Sequence, residues 1–237
     1  MKFWRVGGCN RDEILGIPTK DVDFAVEANS FEEMVKELTR QGFVLHVIKE
    51  EFLTVRAGVP KDHPLYKETK DADFVICRSD SETSDGRRPE FVEPGTILTD
   101  LARRDFTVNA IAKDPETGEW LDPHNGIDDI HTRTLRFVGN PLDRINEDGL
   151  RVMRAFRFCV VRGFTMESET LAAVSSFEAE RALLSDSVSS ERIREELNKM
   201  LKHDTVATLK FLHHFLPPFM LNVIFKNNLR LEATLKG

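Results

Sequence analysis

The chain has no run of apolar residues approaching the roughly 20 that a membrane-spanning helix requires, and no signal-peptide pattern at its N-terminus. A helical membrane protein is therefore not expected among its 237 residues. Cysteine is scarce. The three present, Cys9, Cys77 and Cys159, are odd in number, far apart and each set in an apolar stretch. They read as reduced core thiols rather than a disulfide framework or a zinc site, so a cytoplasmic setting is expected. The seven histidines form no ligand pattern; His213 and His214 are adjacent and point to different sides of a helix. Internal repeats and low-complexity segments are missing too. Positive charge is in deficit, 33 Lys and Arg against 40 Asp and Glu, for a net charge of −7. Over the whole chain that speaks against a nucleic-acid partner. A local basic groove is not excluded, because residues 150–163 hold Arg151, Arg154, Arg157 and Arg162 and no acid.

What is present is ordinary soluble composition, 41% apolar and 31% charged. The length allows one large or two small domains with real cores. Residues 3–6 read as a short buried strand, followed by a Gly7-Gly8 turn. A helix opened by Asn10 or Asp12 then stops at Gly16-Ile17-Pro18. Asp21 and Asp23 fall on the next apolar strand. Ser30 and Glu33 make a capping box for a helix ending near Gly42. Residues 43–48, 52–57 and 72–78 read as strands, and residues 79–95, with Arg87 and Arg88, as a long polar loop. A hairpin over 107–113 and 119–121, a short helix and a strand over 134–138 follow. Beyond them the pattern is helical: 147–162 with Gly163 as C-cap, 169–181, 190–202 and 204–215. Pro217 and Pro218 stop the last, ahead of the apolar residues 219–225. The expectation is an α/β (α+β) domain with a mixed sheet over residues 1–140, then an all-helical domain over 141–237.

Three clusters carry chemistry. A glycine turn that leads into a helix gathers bare N–H groups and suits a phosphate. On a strand, Asp21 and Asp23 share one face. Alone, such a turn is usually only a turn and such a pair a solvated strand face. Together they are what divalent-metal phosphoryl transfer needs. The second cluster is Arg103-Arg104-Asp105-Phe106-Thr107-Val108-Asn109-Ala110. Adjacent arginines entering a buried segment need something anionic, either a ligand or an internal salt bridge to Asp100 or Asp105. In the third, Asp148, Arg151, Arg154 and Arg157 recur every third residue and form one ridge on a helix. Such a ridge is either a solvated basic face or a binding surface.

These clusters, with Glu191-Arg192-Ile193-Arg194-Glu195-Glu196-Leu197, occur in an order that resembles the class II CCA-adding enzymes. Those are bacterial-type tRNA nucleotidyltransferases, related to poly(A) polymerases within the polymerase β superfamily. The likeness spans residues 3–201. It implies a nucleotidyltransferase head followed by a helical, neck-like domain that binds nucleotide and RNA, in a short form without body and tail. It also implies Asp21 and Asp23 as magnesium ligands. Asp73, five residues before Arg78, fits best as the third catalytic carboxylate. Gly8, Arg11 and Arg104 would contact the nucleotide triphosphate, with Arg154 and Arg157 completing the nucleotide site, while Asp148 and Arg151 would face the incoming base. Two positions depart from the family pattern: Gly149 stands where proline is usual, and Asn10 replaces a small apolar residue.

The implied reaction is attack by a tRNA 3′-hydroxyl on the α-phosphate of CTP or ATP, with Mg2+ as cofactor and pyrophosphate released. Cytosine and adenine both present an amine beside an unprotonated ring nitrogen. A carboxylate accepts from the first and a guanidinium donates to the second, whereas uracil and guanine reverse both groups. The nearest alternatives are a poly(A) polymerase or an enzyme adding only CC or only A. A non-catalytic RNA-binding relative is disfavoured by the intact metal carboxylates. A transferase acting on a protein or small molecule has no use for the base-reading pair. The oligomeric state stays open.

Overall fold

Tight turns and period-two alternation build the first half of the chain. In the computed structural model, which describes residues 1–19, 21–80 and 92–225, the order begins β1 (Lys2–Val6), α1 (Gly8–Ile14), β2 (Asp23–Glu27) and α2 (Phe31–Arg40). It continues with β3 (Val44–Lys49), β4 (Thr54–Gly58), β5 (Asp71–Ile76), β6 (Arg78–Asp80), β7 (Val92–Pro94) and α3 (Ile97–Ala102). The strands β8 (Ala112–Lys113) and β9 (Trp120–Leu121) and the helix α4 (Gly126–His131) complete the set. Seven strands form one mixed sheet in the order β3-β4-β5-β2-β1-β8-β9. Only β2 and β5 run parallel among its pairs.

Phe24 and Phe74 fix that parallel register. They are direct partners across β2 and β5. Both are fully buried, with stacked rings 5.4 Å apart, and the edges of Phe43 and Phe3 close on Phe74 at 5.2 and 5.7 Å. Met34 and Leu38 of α2, both fully buried, join the same core. Each such side chain contributes about 1.5–3 kcal/mol on burial. A slip of one residue would turn this set outward.

Several expectations change here. Asp21 is exposed and precedes β2. The pairing of β1 with β2 ends at Val6 and Asp23, because β1 turns away at Gly7 (φ 82°), so Asp21 has no strand opposite it. The α1 helix starts at Gly8, earlier than Asn10. Ser30 Oγ caps the Glu33 N–H, but Glu33 answers to Asn29 N rather than to Ser30, so the capping box is half formed. The ends of the expected 79–95 loop pair as β6 and β7; Arg87 and Arg88 lie outside the described residues. Residues 107–109 make a 3-10 turn, which shortens the hairpin to β8 and β9.

The described residues divide into two compact units between Thr132 and Arg133. The second holds β10 (Thr134–Leu135), α5 (Pro141–Glu147), α6 (Leu150–Arg162), β11 (Thr165–Met166), α7 (Ser168–Val174) and α8 (Phe177–Leu184). After them come α9 (Ser190–His203), α10 (Thr205–Phe215) and α11 (Pro218–Ile224). It is helical apart from the two-residue parallel ladder of β10 and β11. Val152, Met153, Ala155, Phe156 and Phe158 of α6 are buried, and α6 packs against the buried Ile193, Leu197 and Met200 of α9. Arg151, Arg154 and Arg157 take the remaining, partly exposed side of α6.

The single helix expected over 147–162 breaks at Asp148, whose backbone is extended (φ −152°, ψ 104°). Asp148 is therefore not on the arginine helix. Beside the break, a Cβ on Gly149 would fall 2.3 Å from Ala182 O and 2.4 Å from Ala182 C, so close packing on α8 leaves no room for a side chain. The helix expected over 169–181 breaks as well, where Ser176 Oγ caps the Ala179 N–H and starts α8. The apolar 219–225 stretch lies mostly within α11.

Candidate active site

The phenylalanine pair that sets the register of β2 and β5 also places Asp23 directly opposite Asp73, and the antiparallel pairing of β4 with β5 sets Arg56 opposite Asp73 on its other side. The result is a cross-strand row of guanidinium, carboxylate and carboxylate on the half-open face of the sheet. Arg56 Nη1 donates to both Asp73 oxygens at 3.3 and 3.4 Å. Burial pushes the Asp23 carboxyl up from its ordinary value. Asp73 and Asp21 push it further, and Arg104 and Arg56 pull it back.

The Gly7 turn closes on the same place. A Cβ at Gly7 would stand 3.4 Å from Arg104 Nη1 and 3.7 Å from Asp23 Oδ2. Bare backbone, guanidinium and carboxylate thus share one small volume. Arg104 is held firmly: Nε and Nη2 donate to Asp100 Oδ2 at 3.1 and 2.8 Å, and Nη1 donates to the Asn109 carbonyl at 3.3 Å. Arg103 donates to the other Asp100 oxygen. Asp100 is buried, which by itself raises its carboxyl, but Arg104 and Arg103 outweigh this and hold it below the usual range. Arg104 thus presents a fixed guanidinium beside Gly7, which suits a phosphate there.

Arg11 is turned inward. Its Nε and Nη2 donate to Asp12 Oδ1 at 2.9 and 2.8 Å and its Nη1 to Asn109 Oδ1 at 2.6 Å, while Gly8 lies against the guanidinium. Asn109 donates in turn to Asp105 Oδ1 at 3.1 Å. It therefore ties both candidate phosphate arginines together.

Among the described residues, no three carboxylates, imidazoles or thiols converge to enclose an ion. The donor set still fits a hard divalent cation. It is all oxygen, two of its carboxylates are register partners, and Asp23 carries an electrostatic burden that a cation relieves.

In the helical unit neighbours orient Asp148, Arg151 and Arg157. Asp148 Oδ1 accepts from Leu150 N at 3.0 Å, and Oδ2 accepts from Arg192 Nη2 at 2.7 Å. Arg151 Nη1 donates to Glu147 Oε2 at 2.6 Å and to the Arg144 carbonyl at 2.9 Å. Arg157 Nε donates to the buried Glu196, whose carboxyl lies below its ordinary value because Lys199 and Arg157 outweigh its burial. Arg154 is partly buried on the same side of α6.

Residues 3–136 match the family model described as the poly A polymerase head domain. The chain belongs to that family. Residues 163–217 match a second model, the probable RNA and SrmB-binding site of polymerase A. A CCA-adding enzyme of Enterococcus faecalis is 38% identical over 198 residues, which is 83% of this chain and 44% of that protein. The crystal structure of the Bacillus stearothermophilus CCA-adding enzyme in complex with CTP is similar at a TM-score of 0.71 and 30% identity. That match covers 91% of this chain and 50% of that one. A tRNA nucleotidyltransferase complexed with a primer tRNA and an incoming ATP analog is similar at a TM-score of 0.72 and 27% identity, over 95% of this chain and 59% of that one. The chain thus spans about half the length of the relatives it matches.

Within this poly A polymerase head, the departure at Asn10 has a local cause. Asn10 is fully buried; its Oδ1 accepts from Arg5 Nε at 2.8 Å, and its Nδ2 donates to the carbonyls of Arg5 and Ile111 at 2.8 and 2.9 Å. Arg5 is buried too and pairs with Glu68 and Glu13. The motifs contained Asn109, Arg192 and Glu196 without marking what they do. Nothing in them pointed to Arg56, although its alternation with the buried Val55 and Ala57 puts it on the open face.

Proposed function

We propose that this chain carries the catalytic and base-reading parts of a template-independent tRNA nucleotidyltransferase, adding CMP and AMP to the tRNA 3′ end from CTP and ATP. The observation that supports this most is the register-fixed Asp23–Asp73 pair, set against the Gly7 turn and the anchored Arg104. Asp21 and Asp23, with Asp73, would hold Mg2+, which when bound lowers the pKa of the attacking hydroxyl and neutralises charge on the departing pyrophosphate. Arg104 binds the triphosphate beside the bare Gly7–Gly8 backbone. Arg11 joins it by exchanging an internal acceptor for a phosphate oxygen. In the helical unit, Asp148 accepts from the base amine with the lone pairs that Leu150 and Arg192 leave, and Arg151, oriented by Glu147, donates to the ring nitrogen. Arg154 and Arg157 add charge and positioning.

The test offers purified protein tRNA transcripts ending before CCA, after C and after CC, with each nucleotide in turn. CMP and AMP added in that order support the proposal. Long AMP tracts make the protein a poly(A) polymerase, and extension of one transcript alone makes it a CC- or A-adding enzyme. Arg151→Ala should slow CTP and ATP use by about 5- to 150-fold, the equivalent of about 1–3 kcal/mol for an unpaired partner, and raise relative use of UTP and GTP. Unchanged nucleotide preference in that variant refutes base reading by Arg151.

A further inference from the structure

The carboxylate row carries two arginines that differ in how they are held. Arg104 has its guanidinium fixed by Asp100 and by the Asn109 carbonyl, neither of them in the row. Arg56 has, among the described residues, side-chain hydrogen bonds to Asp73 alone. Those bonds are long, 3.3 and 3.4 Å, and the Arg56 side chain is 49% exposed. Its charge also acts on Asp23, the next carboxylate along. A divalent cation entering this row meets a rigid arginine on one side and a loosely tethered one on the other.

We propose that Arg56 is the stand-in cation of the row: it holds Asp73 while no metal is bound, and a divalent cation must displace it to use that carboxylate. This rests on the proposal that Asp23 and Asp73 are metal ligands. Two physical effects act in the same direction. Arg56 occupies lone pairs of Asp73 that an ion needs, and its positive charge repels an incoming ion across a few ångströms. Both effects lower metal affinity, and both vanish when the guanidinium is removed. Arg56 thereby sets the free metal concentration at which the row fills. In return it relieves the mutual repulsion of the neighbouring Asp23 and Asp73 carboxylates. Arg104 is less suited to this part, because moving it would take both of its donors from Oδ2 of the buried Asp100.

The test is Mn2+ binding by the full chain, followed by electron paramagnetic resonance of the free ion, with no nucleotide or RNA present. Arg56→Gln should tighten Mn2+ binding by about three- to tenfold, as expected for removing one nearby charge in a largely solvated site. Arg56→Lys, which keeps the charge, should stay near the parent. In an Asp73→Asn background, Arg56→Gln should gain clearly less, because its main partner has gone. Unchanged or weaker Mn2+ binding in Arg56→Gln overturns the proposal, as does an equal gain with Asp73 absent. If the parent and Asp23→Asn bind Mn2+ alike, the metal-ligand assignment fails as well. Binding lost in Asp23→Asn but unaffected in Arg56→Gln refutes the Arg56 role alone. Arg56 is half exposed, so its variants should fold, and circular dichroism checks this.

Discussion

Gly149→Ala gives the sharpest test of how the helical unit is assembled. Gly149 has ordinary helical dihedrals (φ −56°, ψ −23°), so its backbone does not call for glycine. At such a position alanine normally stabilises, by about 0.4–1 kcal/mol, through loss of unfolded-state freedom. Here the added Cβ would sit 2.3 Å from Ala182 O, 2.4 Å from Ala182 C and 2.9 Å from Leu183 N. All three are backbone atoms, so no side chain can rotate aside. The start of α6 and the end of α8 must separate by about 1 Å to restore contact distance, and overpacking of this kind costs about 1–3 kcal/mol. The sign should therefore reverse, to a net loss of about 1–2 kcal/mol. Urea unfolding followed by far-UV circular dichroism would show it as a lower midpoint. Tryptophan fluorescence reports the first unit, which holds both Trp4 and Trp120, and serves as the internal reference. A Gly149→Ala midpoint equal to or above the parent's would refute the steric account. Proline carries a Cβ in the same position, so Gly149→Pro should fail in the same way.

Asp23→Asn should end nucleotide incorporation yet raise the thermal midpoint at neutral pH. The folded state raises this carboxyl's pKa, so its ionisation disfavours folding as pH rises through that value, and a neutral isostere escapes the penalty. A lower midpoint would contradict this. Asn10→Ala should cost about 1–3 kcal/mol by leaving Arg5 Nε and two buried carbonyls without their partner. Asn10→Asp should be no better, since a carboxylate cannot donate to those carbonyls, and denaturant midpoints of the two variants check the point. Asp100 behaves oppositely to Asp23. Its folded pKa is depressed by Arg104 and Arg103, so its contribution is present above about pH 4 and lost as pH falls through the depressed value. Asp100→Asn should therefore destabilise the protein at pH 7 and flatten the acid limb of its stability profile. An unchanged acid limb would show that the two arginines do not depend on it.

Much of the head was legible because its signals are local. Alternation marks β2 and β5, Gly7 marks the end of β1, and Ser30 marks the start of α2. The salt bridge of Asp100 with Arg103 and Arg104 also lies within one helical turn and its cap, so it was one of the two readings available from the residues. What escaped was decided at long range. A charge every third residue from Asp148 to Arg157 has the period of a helix, and the arginines obey it. Asp148 does not, because its backbone is extended beside the close approach of Gly149 to α8, and its second oxygen is held by Arg192 on α9.

The same distinction separates the motif residues from those that govern them. Spelling identified Asp21, Asp23 and Arg104 as groups that suit a metal and a phosphate. It was silent on Arg56, whose place beside Asp73 depends on the pairing of β4 with β5, in which the buried Val55 and Phe74 are direct partners. A single strand's pattern gives the face on which a side chain stands. Which carboxylate that side chain neutralises follows from the register across three strands. Register is thus the step at which charge along the chain becomes chemistry in a site.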